Sequence, residues 1–189
     1  MGDKVREQFT RDVEKEVLEA SFKYLIEHGL ENTSMRDLCK GTGISSGSMY
    51  YWFDSKDDIV IKSAEYGLAQ VVDKIFEYAL EEMFDLKNFF DSLIDEINRY
   101  KLELRFIYQV ATSPVYGETI RSSADSISFI YEKYIIRLSK LVKVPFEDLK
   151  PIVFMVIATI LDYIVWDDCE LTKGQIEYLY GLLKEKIEK

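Results

Sequence analysis

Thr33-Ser34-Met35-Arg36-Asp37-Leu38-Cys39-Lys40-Gly41-Thr42-Gly43-Ile44-Ser45-Ser46-Gly47-Ser48-Met49-Tyr50-Tyr51-Trp52-Phe53 is the stretch whose reading decides the fold. It reads as two short helices joined by a tight turn at Gly43, where a positive φ costs least for glycine. Asn32 or Thr33 is placed to cap the first helix, which holds Met35, Leu38 and Cys39 on one face. Ser45 is placed to cap the second through its hydroxyl; that helix begins small and polar and ends aromatic. Ser55, with Asp58 three residues on, is a capping-box-like start for the helix that follows. This is the layout of a helix-turn-helix, whose second helix can lie in the DNA major groove. Met35, Leu38, Ile44, Met49 and Phe53 are its expected core.

Working outward, apolar residues recur at three- and four-residue spacing along the whole chain. A helix is predicted from about Arg11 to His28, with Val13, Val17, Ala20, Phe22, Tyr24 and Leu25 inside and Gly29 as its C-cap. Further helices are predicted over about Lys56–Glu82, Leu86–Ala111, Tyr116–Ser122, Ala124–Val142, Phe146–Asp167 and Thr172–Ile187. The chain is therefore all-α, with about nine helices. A three-helix domain is expected over 1–55 and a larger helical one over 56–189, the helix from Lys56 belonging partly to both.

The 189 residues are 48% hydrophobic, enough to bury a sizeable core. Net charge is 24 − 34 = −10, which argues against a non-specific nucleic-acid binder, because such affinity comes from neutralising phosphates. From Thr33 to Lys56, however, Arg36, Lys40 and Lys56 outnumber Asp37 and Asp54. The charge balance is neutral evidence, and the motif carries the reading. Met1 to Arg6 has no apolar core of a signal peptide, and Arg6 stands where myristoylation needs Ser or Thr. The longest apolar run, Ile152 to Leu161, falls short of the roughly 20 residues of a membrane span. Cys39 and Cys169 have no metal-ligand spacing and read as free thiols. His28, the single histidine, reads as a helix-end residue and builds no catalytic constellation. A cytoplasmic protein without membrane partner, metal, cofactor or enzymatic activity is expected.

The chain resembles the TetR family of bacterial transcriptional regulators over about residues 13–66. Ala20, Gly29, Thr33 to Leu38, Gly43-Ile44-Ser45, Gly47 to Phe53 and Ser55-Lys56 carry the resemblance. It implies that double-stranded operator DNA is met by Ser34, Arg36, Ser45, Ser46, Gly47, Ser48, Tyr50, Tyr51 and Lys56. Ser46 departs from the Lys or Arg frequent there in the family, and Trp52 replaces a common Tyr or His. Phosphate affinity is then expected to be modest, with the indole against the helix bundle.

The resemblance further implies that the C-terminal domain binds a small-molecule effector, at least partly apolar, and dimerises. Phe89, Phe90, Tyr100, Phe106, Tyr108, Tyr116, Phe129, Tyr131, Tyr134 and Asp162 are the pocket residues it suggests. The Phe146–Asp167 helix is apolar nearly all round between Ile152 and Leu161 and needs cover on every side. With the stripe on the last helix, it predicts a homodimer seam of Phe154, Ile157, Leu161, Trp166, Ile176, Leu179, Tyr180 and Leu183. The expected protein is a ligand-released repressor on a palindromic operator. The rival reading is a helical dimer whose motif has lost DNA and contacts a protein.

Overall fold

The computed structural model describes residues 2–122 and 124–188, with side chains over 12–120, 122 and 131–188. Ten helices and no strand occur among the described residues: α1 (Gly2–His28), α2 (Met35–Thr42), α3 (Ser46–Trp52), α4 (Lys56–Glu82), α5 (Leu86–Asn98), α6 (Lys101–Thr112), α7 (Gly117–Ser122), α8 (Ala124–Val142), α9 (Phe146–Trp166) and α10 (Cys169–Ile187). The count exceeds the expected nine because Leu86–Ala111 is two helices. At Arg99 and Tyr100 the N–H groups bond to Glu96 and Ile97, three residues back, and this tightened turn ends α5. No glycine or proline marks the break in the sequence.

The chain forms two compact units, 1–68 with 106–122, and 69–105 with 123–189. Both α4 and α6 contribute residues to each unit.

In the first unit Val17, Phe22 and Leu25 of α1, Leu38 of α2, Met49 of α3, and Ile59, Val60 and Ala64 of α4 are buried. Phe106, at the start of the α6 portion, meets the Phe22 ring edge-on at 5.5 Å. Two glycines let elements approach where a side chain would not fit. A Cβ on Gly41 would lie 1.9 Å from the Tyr24 ring, and one on Gly67 2.2 Å from the Phe22 ring.

The core of the second unit holds Phe76, Phe89, Phe90, Leu93, Ile97, Ile135, Leu138, Leu149, Ile152, Ile164, Ile176, Leu179 and Leu183. The turn between α9 and α10 is fixed by charge. Asp167 takes a left-handed conformation (φ 61°) and ion-pairs with Lys101 and Arg105. Arg105 Nε also donates to the Ile164 carbonyl at 2.6 Å. Asp168 caps α10 by accepting from the Leu171 N–H at 2.9 Å, starting that helix three residues before the expected Thr172. By length and mean hydropathy, 1.8, α9 would pass as a membrane span, which the short Ile152–Leu161 run did not suggest. Its inner face is covered by α8 and α10, while Phe154, Met155, Leu161, Val165 and Trp166 face outward.

Candidate nucleic-acid interface

The helix-turn-helix is built by caps before it is built by packing. Ser34, not Asn32 or Thr33, is the N-cap of α2. Its hydroxyl accepts from the Asp37 N–H at 3.2 Å, and Asp37 Oδ2 accepts from the Ser34 N–H at 2.9 Å, closing a capping box. Thr33 turns inward instead: it is buried and its hydroxyl donates to the Gly29 carbonyl at 2.7 Å. Gly29, at φ 80°, supplies the left-handed residue that ends α1.

Gly43 ends α2 at φ 71°. Beside it Thr42 Oγ1 donates to the Leu38 carbonyl at 2.7 Å and accepts from the Ile44 N–H at 3.3 Å, so the turn is stitched on both sides. Ser45 then caps α3, accepting from the Ser48 N–H at 3.1 Å, and the two hydroxyls lie 2.9 Å apart. Met49 and Phe53 are buried beneath α3, with Lys62 Nζ 5.4 Å from the Phe53 ring centre. Burial of those two side chains fixes the face that remains outside. Ser45, Ser46, Gly47 and Ser48 are exposed, as are Tyr50 (57%) and Tyr51 (75%). Trp52 is half-buried and packs edge-on against Tyr51.

Arg36 is exposed on α2, and so is Lys40, which sequence reasoning counted as charge without giving it a role. Lys56 is half-buried and its ammonium donates to the Leu30 carbonyl at 2.7 Å, tying the start of α4 to the loop before α2. An ammonium has three donors, so the tether leaves two for a phosphate. Ser34 is more committed: its N–H and hydroxyl both serve the capping box, and Asp37 places an anion where a phosphate would approach. Hydrogen bonds from the Ser34 side chain and backbone hold the Asp37 carboxyl below its usual value.

The residues suggested as an effector pocket do not form one cluster. Phe106, Tyr108 and Tyr116 belong to the first unit, where Tyr116 donates to Asp57 at 3.1 Å. Tyr100 carries Lys74 over its ring, and Tyr134 bonds Asp73 and stacks on Phe76. Tyr131 meets Phe76 and Phe154, and burial pushes its phenol up. Asp162 is half-exposed, and the side chain of Phe129 lies outside the described residues. The second unit does contain a cavity of about 70 Å3, lined by residues of α4, α5, α8, α9 and α10. Of the suggested residues Phe89 and Phe90 line it, and the rest of its wall includes Ile75, Ala79, Leu93, Leu138, Ile152 and Ile160.

The expected seam divides in the same way. Ile176, Leu179 and Leu183 are buried against their own chain, Ile157 lines the cavity, and Tyr180 meets Phe90. Phe154, Leu161 and Trp166 are exposed. The outward stripe of α10 is instead Leu171, Gly174, Tyr178 and Gly181. Apart from chain neighbours and the helix's own backbone, no described atom lies within 4 Å of where a Cβ on Gly174 or Gly181 would stand.

Residues 17–62 match the model of the bacterial regulatory proteins, tetR family. That segment is similar to the helix-turn-helix domain of the family. It is 28% identical over 132 residues to the uncharacterized HTH-type transcriptional regulator YvdT of Bacillus subtilis, covering 68% of this chain and 64% of that one. It is 26% identical over 105 residues to the HTH-type transcriptional repressor AcnR of Corynebacterium glutamicum, covering 54% and 53%. The chain thus spans under two thirds of the length of these relatives. Two solved structures share the TetR fold along nearly the whole chain. The Syntrophomonas wolfei protein, a putative TetR-family transcriptional regulator, has a TM-score of 0.58 at 22% identity, covering 95% of this chain and 97% of that one. The Shewanella protein, a putative tetR family transcription regulator, has 0.56 at 16%, covering 90% and 95%. These relatives and neighbours are regulators, not enzymes.

Proposed function

We propose that the chain is a homodimeric transcriptional repressor that binds a palindromic operator and is released by a small-molecule effector. The observation that carries the reading is α3. Its inner side chains are locked into the core while its small polar first turn and two tyrosines stand exposed. Base edges are read by the N-terminal part of such a helix, and phosphates by hydroxyls and cations around it. Ser46, Gly47 and Ser48 take the first role; Arg36, Lys40, Tyr50, Tyr51 and Lys56 take the second. Two copies follow from the uncovered faces of α9 and α10. A two-fold seam lays Met155, Ala158, Leu161 and Val165 against Leu171, Gly174 and Tyr178, the glycine admitting a close helix approach.

The experiment is a mobility-shift titration with DNA flanking the chain's own gene, run at several salt concentrations. Retarded complexes that weaken with salt, and are lost in Arg36→Ala/Tyr50→Phe while the protein stays a folded dimer, support the proposal. A folded wild-type dimer with no salt-dependent DNA binding sinks it and leaves the protein-contacting module.

A further inference from the structure

Two hollows of the second unit meet back to back. The inner one is the apolar cavity, with no polar side chain in its wall. Such a space takes hydrocarbon and offers a polar group no partner. The outer one is an open groove of about 630 Å3 between the α4–α5 turn, the end of α8 and the last turns of α10. Met83 and Val142 belong to both walls. Methionine is unbranched with three rotatable bonds, so a rotamer change at Met83 can join the hollows without moving backbone.

The groove rim is charged, with Lys87, Lys143 and Lys184 against Asp85 and Glu188. Four of these five are engaged. Asp85 caps α5 by accepting from the Asn88 N–H at 3.0 Å. Lys87 pairs with Asp91 and Glu177, and Lys184 lies 3.9 Å from Glu188. Lys143 differs. It is exposed, fixed at φ 58° directly after α8, and has no hydrogen bond or ion pair among the described residues. The double hollow therefore combines an apolar interior, a flexible residue at its throat and one uncommitted cation at its mouth.

We propose that it binds a single-chain amphiphile with a carboxylate head, the head meeting Lys143, the tail lying along the groove and its end passing Met83 into the cavity. This rests on the reading of the chain as an effector-responsive regulator, and it names the class of effector. Calorimetric titration with decanoate, 1-decanol and decyltrimethylammonium tests it, since the three share a tail and differ in head charge. Decanoate should bind about tenfold more tightly than decanol, the worth of one charge-assisted contact, and the cation no better than decanol. Lys143→Gln, an exposed change that leaves the fold alone, should reduce decanoate to the affinity of decanol. Val156→Phe, with its fold checked by circular dichroism, should weaken both by filling the cavity. Equal affinity for the three ligands, no binding, or decanoate binding indifferent to Lys143→Gln overturns the proposal. Operator titration of the same preparation separates the two claims. Decanoate binding that leaves operator affinity unchanged removes the effector response but keeps the site, whereas operator binding without decanoate binding does the reverse.

Discussion

Ser34 decides more about α2 than its size suggests, because its hydroxyl and N–H are both spent on Asp37. Ser34→Ala should cost about 1 kcal/mol, the usual worth of an N-cap, read as a lowered melting temperature. The pH dependence has a definite sign. The Asp37 carboxyl is held below the ordinary 3.8 by its bonds to Ser34, and Asp167 is held low chiefly by its bond to Lys101. A carboxylate depressed in the folded state stabilises it above the unfolded value, and loses that contribution as pH falls through the folded one. Stability from these two groups is therefore complete at neutral pH and vanishes only below about pH 4. Acid titrations of Asp37→Asn and wild type should run apart at pH 7 and converge in that window. Gly41→Ala drives a methyl into the Tyr24 ring and should cost about 1–3 kcal/mol, as overpacking does. Tyr24→Leu in the same chain should recover part of the loss. The cap was partly legible in the sequence: Ser34 and Asp37 have the right spacing, yet Asn32 and Thr33 are equally good capping residues one or two positions earlier. Thr33 was taken out of contention by a buried bond to Gly29 that no local pattern encodes.

Helix α3 is seven residues long and carries no cation, so its reach toward DNA is set by hydroxyls and backbone. In the proposed complex each subunit would offer Arg36, Lys40 and Lys56 to phosphates. The proposed dimer would then neutralise at most about six phosphates, for a slope of log affinity against log salt near −5 or shallower. Ser46→Arg should tighten operator binding and steepen that slope by about two, one phosphate per subunit. Mobility shifts over a salt series read both, and an unchanged slope would place Ser46 away from the backbone. The ends of α3 and α4 were legible because Ser45 and Ser55 are local signals whose hydroxyls cap those helices. The break between α5 and α6 was not, since Asn98-Arg99-Tyr100-Lys101 contains neither Gly nor Pro. Tertiary contacts made by Lys101 and Arg105 with the end of α9 favour a new start there.

For the whole molecule, the proposed two-fold seam rests on the uncovered faces of α9 and α10. Tyr178→Glu places a charge in the middle of the proposed seam and should shift the protein to monomer, read by sedimentation or light scattering. Leu179→Glu, on the inner side of the same helix, should unfold the chain instead. That contrast separates seam from core. The sequence predicted that α9 needs cover on every side, but it could not say which stripe of α10 faces inward. Ile176, Leu179 and Leu183 form the more apolar stripe and were read as the seam, whereas the core claimed them. Gly174 and Gly181 look like helix breakers in a sequence and are bare backbone on the outside of a continuous helix.

The poverty of cations around α3 has a kinetic consequence. A strongly basic regulator spends most of its time on arbitrary DNA and finds its target by sliding. On the proposed reading, a net charge of −10 and few cations on the motif would leave this chain holding random DNA weakly and searching mainly through solution. Few copies would then be sequestered along the chromosome, and a copy leaving its target would escape into free solvent, so the proposed switch would answer quickly to the number of molecules present.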